Sequence, residues 1–294
     1  MICKECPRNC GALRLEEEGN GVCKMGENPK VAKIMLHNWE EPCISGKRGS
    51  GTIFFSGCCL KCVFCQNYEI SAQNKGKYIS VERLRELMKN LEDMGAHNIN
   101  LVNPTHYTHA IAKALEKQPS VPVVYNCGGY EGLDALKSLS GKVQIYLADF
   151  KYSDNQLALK YSGAPDYVQV AEEAVKEMYN QVGDFAFDDE GNMTRGLIVR
   201  HLVLPGKLEN SKGVIDFFSK EFKGKKVMFS LMGQYVPAGK VLFDDKYKEI
   251  NKKVSSAQYK KLCEYMNLCG VEYGYTQELD SADSKYTPDF SCNI

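Results

Sequence analysis

Along this chain, segments with the sequence pattern of a β-strand alternate with segments with the pattern of a helix. This alternation limits the possible folds more than any other feature of the sequence. After residue 50, short apolar runs typical of buried strands are followed by stretches in which apolar residues recur at helical spacing. The strand segments lie at 52–55, 99–102, 122–125, 143–148, 197–204, 227–231 and 271–275, and the helix segments at 81–94, 106–117, 133–139, 166–182, 216–222 and 256–269. Roughly six βα units predict a parallel sheet with right-handed crossovers. Because they fall short of the roughly eight units of a closed barrel, we expect an α/β fold with an open, partial (βα)6 barrel.

A short loop with several cysteines follows the first of these strands. It contains Cys58, Cys62 and Cys65. A closed zinc or iron–sulfur site takes four protein ligands, so three thiols without a fourth close behind predict a cluster with one open iron. The carboxyl end of a strand is also where parallel α/β folds build their active sites. A structural zinc site that borrows a distant fourth cysteine is the alternative. Cys59 lies outside the ligand spacing, and we expect it not to be a ligand.

A second set of cysteines lies near the N-terminus, with turn residues between its members. The set consists of Cys3, Cys6, Cys10 and Cys23. Four thiolates bind zinc as well as an iron–sulfur cluster, whereas exposed free thiols are prone to oxidation. We therefore expect a second metal centre, with zinc and iron–sulfur both open. The chain is accordingly divided into a cysteine-rich metal-binding segment at 1–45 and a barrel domain at 46–294.

The composition excludes some classes of function. Lys+Arg and Asp+Glu are balanced at 37 each, without a strongly basic stripe, so nucleic-acid binding is not favoured. No apolar run is long enough for a membrane span, and the N-terminus does not resemble a signal peptide. In such a chain, 13 cysteines indicate thiols and metal ligands in the reducing cytoplasm.

The cysteine loop, with Phe64 before its last cysteine, resembles that of the radical S-adenosylmethionine (radical SAM) superfamily. The Gln66-Asn67 pair that follows is similar to the activating enzymes of glycyl-radical enzymes. The chain is also similar to a branch of this superfamily labelled pyruvate formate-lyase activating enzyme-like. Four stretches carry this similarity: Cys-Pro-Arg-Asn-Cys at 6–10, Glu-Glu-Pro at 40–42, Ile-Ser-Gly at 44–46 and Asn-Pro-Thr-His at 103–106. The resemblance extends over most of the chain, to about residue 235. It makes the expected fold a partial radical SAM barrel with a cysteine-rich N-terminal extension.

The resemblance implies the cofactors. Cys58, Cys62 and Cys65 would hold a [4Fe–4S] cluster whose open iron chelates the amino and carboxylate groups of S-adenosylmethionine (SAM). The reduced cluster would split the sulfonium bond and produce a 5′-deoxyadenosyl radical, while the protein aims that radical. A flavodoxin- or ferredoxin-type protein would supply the electron.

The resemblance also implies contacts to SAM at the strand ends. Where activating enzymes usually show Gly-Gly-Glu, this chain has Asn103 and Thr105, whose neutral oxygens would accept from the SAM ammonium. Asn126 lies in a stretch similar to the Asp-Thr-Asn-Gly that closes the third strand of that type. Gln234 or Tyr235 would bind a ribose hydroxyl in place of the histidine that the family usually carries.

Charged residues at two further strands complete the predicted site. Asp149 and Lys151 match the Asp-x-Lys of the pyruvate formate-lyase type, which implies a carboxylate and an ammonium at the methionine end of SAM. A turn residue and a solvated lysine are the simpler alternatives. Arg200 interrupts an apolar run, so inside a barrel it needs a partner such as a carboxylate. We assign these three residues to catalysis. Glu40 and Glu41, next to the sole tryptophan, are weaker candidates for the substrate pocket.

The predicted function is therefore a radical SAM enzyme that abstracts hydrogen from a substrate. The substrate is a glycyl-radical enzyme that becomes activated, or alternatively a peptide or a small molecule. The missing Gly-Gly-Glu and the N-terminal position of the second cysteine set stand against activation. A hypothesis from another class is a non-enzymatic iron–sulfur or zinc protein for electron transfer or scaffolding, which the Asp149-x-Lys151 pattern disfavours.

Overall fold

The computed structural model describes residues 2–277, 279 and 288–290. Its strands are β1 (Lys30–His37), β2 (Ser50–Phe55), β3 (Lys77–Tyr78), β4 (Ile99–Val102), β5 (Val123–Cys127), β6 (Ile145–Asp149), β7 (Ala186–Phe187), β8 (Met193–Leu202), β9 (Met228–Met232) and β10 (Gly274–Thr276). Its α-helices are α1 (Pro42–Ser45), α2 (Tyr68–Ser71), α3 (Val81–Asp93), α4 (Thr108–Ala114), α5 (Leu133–Ser138), α6 (Asn155–Ser162), α7 (Tyr167–Val182), α8 (Leu208–Glu221) and α9 (Ser256–Leu268). Short 3-10 helices cover Thr105–Tyr107, Gly239–Leu242 and Asp245–Ile250.

Helix α3 illustrates how local sequence determines these elements. The Ser80 hydroxyl accepts from the backbone N–H of Arg83 at 3.1 Å and caps the first turn. Four apolar residues at helical spacing are buried on one face; they are Leu84, Leu87, Met88 and Leu91. Gly95, with φ +87°, ends the helix in a conformation that favours glycine.

The strands form one sheet in the order β10-β9-β8-β6-β5-β4-β2-β1-β3, and β7 pairs with β8. All neighbours from β2 to β10 in this order are parallel. The six predicted barrel strands are all present as β2, β4, β5, β6, β8 and β9. The predicted α/β fold with a parallel, open sheet is therefore confirmed.

Strand β1 was missed in the sequence. It pairs antiparallel with β2, with His37 opposite Ser50 and Ile34 opposite Ile53. Its register shifts between Val31 and Lys33, so buried and exposed residues do not alternate in the way that marks a strand. The N-terminal part of the chain thus contributes a strand to the sheet, while the division at residue 45 stays a prediction.

Helix α1 covers the inner face of the sheet, which is the face opposite the helices α3 to α8, near the amino ends of the strands. The side-chain amide of Asn98, just before β4, donates to the Ile44 carbonyl at 2.7 Å. One buried apolar cluster joins α1 to the inner-face residues: Cys43, Ile44, Val124, Ile145, Leu147, Met193, Ile198 and Met228. This apolar layer closes the amino end, and polar side chains lie on the carboxyl side of it. No helix in the described ranges has the length and apolar character needed to cross a membrane.

Candidate functional site

The predicted cluster loop begins where β2 ends, at the carboxyl edge of the sheet. Gly57 has φ +79°, and a Cβ there would approach Cγ of Met25 to 2.4 Å, so the turn into the loop requires glycine. The end of α6 holds the loop from the other side. The backbone N–H of Lys61 donates to the Ser162 carbonyl at 3.1 Å, and that of Val63 donates to the Tyr161 carbonyl at 2.8 Å.

The three thiols of this loop are free and partly buried. Sγ of Cys62 lies 2.9 Å from the Ser162 hydroxyl, and Sγ of Cys65 accepts from the Ser71 hydroxyl at 3.3 Å. A hydrogen bond from Cys59 lowers the pKa of Cys58 to about 7, whereas burial raises the pKa of Cys62 to about 12.

The donor set of this loop, three free thiols, fits the ligands of a [4Fe–4S] cluster, in which each thiolate would bind a different iron. Burial raises the pKa of Cys62 and Cys65, and the Lys151 ammonium opposes this rise; the same ammonium adds to the lowering of the pKa of Cys58. Cys59 is buried and its thiol lies beside the Tyr130 carbonyl and Cys6.

A row of polar side chains crosses the inner face of the sheet, one from each of five strands. The row consists of Asn100, Asn126, Asp149, Arg200 and Ser230. The register places Asp149 opposite Arg200, and Arg200 opposite Ser230. Because alternate residues of a strand share a face, the predicted residues of three different strands meet here.

Arg200 is the centre of this row. Its Nε donates to Oδ1 of Asp149 at 2.9 Å, its Nη1 to Oε2 of Glu40 at 3.1 Å, and its Nη2 to Oδ1 of Asn126 at 2.7 Å. The sequence predicts a carboxylate partner for Arg200, and the structure contains two, Asp149 and Glu40. Burial lowers the pKa of Arg200, but Asp149 and Glu40 outweigh burial and raise it.

Asp149 and Lys151 form an ion pair, with Nζ and Oδ2 2.5 Å apart and both side chains less than one-fifth exposed. Burial raises the pKa of Asp149, but Arg200 and Lys151 outweigh burial, so the pKa is lowered. Burial lowers the pKa of Lys151, but Asp149 and the Cys62 thiol outweigh it, so that pKa is raised. Both groups are therefore charged, and they lie between the arginine and the cluster loop.

The other residues predicted to contact SAM are not part of the polar row around Arg200. Asn103, with φ +60°, donates through its side-chain amide to the Gly57 carbonyl and so supports the entry to the cluster loop. The Thr105 hydroxyl donates to Oε1 of Glu131 at 2.8 Å. Gln234 is half-buried beyond β9. Tyr235 donates to the Ile250 carbonyl at 2.9 Å, and its ring packs edge-on against Phe64.

The sequence does not predict Glu131 as a site residue, because a single carboxylate after a strand matches no motif. It is 3% exposed and accepts from Thr105 and, at 3.0 Å, from the Tyr125 hydroxyl. Burial raises its pKa to about 7, against the effect of these two hydrogen bonds. Tyr125 and Asn126 are neighbours in β5 and therefore lie on opposite faces of the sheet. Since Glu131 accepts from Tyr125, it lies on the helix-covered face, away from Arg200.

The N-terminal cysteines pack beside the cluster loop, which the sequence does not indicate. Cys3, Cys6 and Cys23 are buried, and Cys10 is exposed. The Cys6 thiol is hydrogen-bonded to that of Cys59. Arg8 fastens this segment, because its Nε donates to the Cys59 carbonyl at 2.9 Å and its Nη2 to the Ser162 carbonyl at 3.2 Å.

Comparison with known proteins agrees with this geometry. The model of the radical SAM superfamily matches residues 52–183. An uncharacterised protein of Methanocaldococcus jannaschii is 29% identical over 273 residues, which cover 89% of this chain and 73% of that protein.

Solved structures show a similar fold. SuiB of Streptococcus suis bound to S-adenosylmethionine matches with a TM-score of 0.52 at 15% identity, over 77% of this chain and 50% of SuiB. A spore photoproduct lyase variant matches with a TM-score of 0.52 at 11% identity, over 76% of this chain and 75% of the lyase. This chain thus spans about half the length of SuiB. Residues 52–183, which include the cysteine loop, thus match the radical SAM superfamily, and the fold agrees with this match.

Proposed function

We propose that this protein is an enzyme that cleaves SAM reductively and uses the resulting radical to abstract hydrogen from a substrate. One observation carries the proposal. The three free thiols at the end of β2 share the carboxyl edge of the sheet with the buried Asp149–Lys151 pair, and the Lys151 ammonium acts on all three. An isolated electron-transfer or zinc site would not need such a pair. SAM, with its carboxylate and ammonium, is the ligand that this combination suits.

Each residue has a role in this proposal. A [4Fe–4S] cluster on Cys58, Cys62 and Cys65 supplies, when bound, the electron and the open position for SAM. Lys151 donates a charge-assisted hydrogen bond to the SAM carboxylate, and Asp149 accepts from the ammonium. Arg200 keeps Asp149 ionised and oriented.

We propose a class of substrate and not an individual molecule. SuiB, which shares the fold, was solved with its precursor peptide SuiA, and this supports a peptide substrate. Activation of a glycyl-radical enzyme rests on Gln66-Asn67 and on Asp149-x-Lys151, and a small molecule is the other alternative. A flavodoxin- or ferredoxin-type protein in the cytoplasm would donate the electron.

Anaerobic reconstitution followed by an assay for SAM cleavage tests the proposal. The wild-type protein with a reductant should produce 5′-deoxyadenosine and methionine, measured by chromatography. Cys62→Ala should lose this activity, while Cys263→Ala, a cysteine variant on α9, should retain it. Cleavage at the wild-type rate by Cys62→Ala would overturn the proposed cluster site.

A second metal centre at the N-terminal cysteines is also proposed. The set Cys3, Cys6, Cys10 and Cys23 would bind zinc or an iron–sulfur cluster. Metal analysis of a variant with Cys58, Cys62 and Cys65 all replaced by Ala decides between the two. A protein that contains neither zinc nor iron would show that the N-terminal thiols are simple cysteines.

A further inference from the structure

We infer that Glu40 is a positioning residue for the SAM site: it holds Arg200 so that Asp149 stays free to pair with Lys151. This inference rests on the proposed function. It gives a role to a residue that lies, like Arg200, outside the region 52–183 that matches the superfamily. It also explains why a carboxylate from before the barrel lies inside it.

Glu40 reaches the inner face of the sheet from the connection between β1 and α1. Its Oε1 accepts from the side-chain amides of Asn100 at 3.2 Å and Asn126 at 3.0 Å, and its Oε2 accepts from Arg200 at 3.1 Å. These donors come from three strands, β4, β5 and β8. One carboxylate thus fixes side chains of three strands relative to one another.

The Glu40 backbone is itself held in place. Its N–H donates to the Ser45 hydroxyl at 2.9 Å, and that hydroxyl donates to the His37 carbonyl at 3.3 Å. The Glu40 side chain is only 10% exposed. Because both backbone and carboxylate are fixed, the position of Oε2 is preorganised for the Arg200 guanidinium.

The arginine divides its donors between two carboxylates. With Glu40 present, Nη1 donates to Glu40, while Nε and Nη2 lie against Oδ1 of Asp149 and Nη2 also donates to Asn126. Without the charge of Glu40, Arg200 would turn towards Asp149 and compete with Lys151 for its oxygens. In Glu40→Gln one acceptor oxygen remains, so either the Asn100 and Asn126 amides or Nη1 of Arg200 would lose its acceptor.

Glu40 supplies one of the two carboxylates that face the two cations of the site. Glu40 and Asp149 face Arg200 and Lys151. Glu41 lies beside Ser230, and burial raises its pKa although Arg200 opposes this. Loss of the Glu40 charge would leave excess positive charge where SAM, itself a cation at sulfur, must bind.

SAM binding to the anaerobically reconstituted protein tests the inference. We expect Glu40→Gln to raise the Kd of SAM by about tenfold or more, because bonds to a charged group are lost. The matched control is Glu86→Gln, which removes an exposed carboxylate paired with Arg83 at 2.7 Å on α3, and its Kd should stay at the wild-type value. Adding Asn100→Asp to Glu40→Gln returns a negative charge to the same cluster and should recover most of the affinity.

The outcomes separate the inference from the proposed function. Wild-type protein that does not bind SAM would overturn both. Wild-type binding with an unchanged Kd in Glu40→Gln would refute the positioning role alone. If Glu40→Gln does not fold, the double variant decides: a Kd near that of wild type supports the role of the charge, and a Kd as weak as that of Arg200→Gln refutes it.

Discussion

Replacing the buried Glu131 carboxyl by an amide should stabilise the protein, and the gain should grow with pH. The folded-state pKa of Glu131 is about 7, and its ordinary value is 4.5. Between these values the folded protein holds a proton that the unfolded chain has released. Rising pH therefore favours the unfolded state across this window, and the cost is complete once the pH exceeds about 7.

The magnitude follows from the two pKa values. Each pH unit between them costs about 1.4 kcal/mol, so the total is about 3 kcal/mol for a side chain that is 3% exposed. Glu131→Gln has no proton to lose, and its amide can still accept from Thr105 and donate to Tyr125. From pH 5 to pH 8, the free energy of unfolding of the variant should rise by about 2.5 kcal/mol relative to wild type.

Urea unfolding followed by circular dichroism at pH 5, 6, 7 and 8 measures this difference. Other titrating groups, such as His106 and His201, are present in both proteins and cancel in the comparison. Glu249→Gln is the control, because the pKa of Glu249 is held at about 2 and its carboxylate is ionised throughout this range. A difference between wild type and Glu131→Gln that does not change with pH would refute the reasoning.

Three further variants test the site. Asp149→Asn should weaken SAM binding or slow its cleavage more than it lowers Tm; normal SAM cleavage with a Tm several degrees lower would make Asp149 a structural turn residue. Arg200→Met leaves the buried Glu40 carboxylate without its cation and takes one of two cations from Asp149, and it should reduce the free energy of unfolding by about 3 kcal/mol, measured in urea. Gly57→Ala should lower the iron content after reconstitution, because its Cβ would collide with Met25 at a positive φ; wild-type iron content would contradict this.

Much of the fold could be predicted because the barrel strands are short apolar runs with helices between them. β1 could not, since its shifted register hides the alternation that identifies a strand. Helix α6 was also missed, although Asp154 caps it at Gln156. Its buried face, Ala158, Tyr161 and Ser162, mixes apolar and polar residues, so the helical period is weak.

The site could be predicted in part. The cysteines of the loop are close to one another in sequence, as are Asp149 and Lys151, and each group matches a motif, so their positions could be named in advance. The contact between Glu40 and Arg200 joins residues 160 positions apart, and no local pattern reports it. The same holds for Glu131, whose protonation depends on burial that only the folded chain creates.

The attachment of Arg8 has a consequence for the order of events during synthesis. Arg8 donates to the carbonyl of Gly163, 155 residues later in the chain. At about 5–20 residues per second, the ribosome needs roughly 8–30 s to make the residues between them. For roughly 5–20 s of that period, from Cys65 to Gly163, all the cysteines up to Cys65 have been made, but the end of α6 that supports their loop has not. Insertion of iron into the finished loop, as proposed, therefore follows the synthesis of residues 1–163.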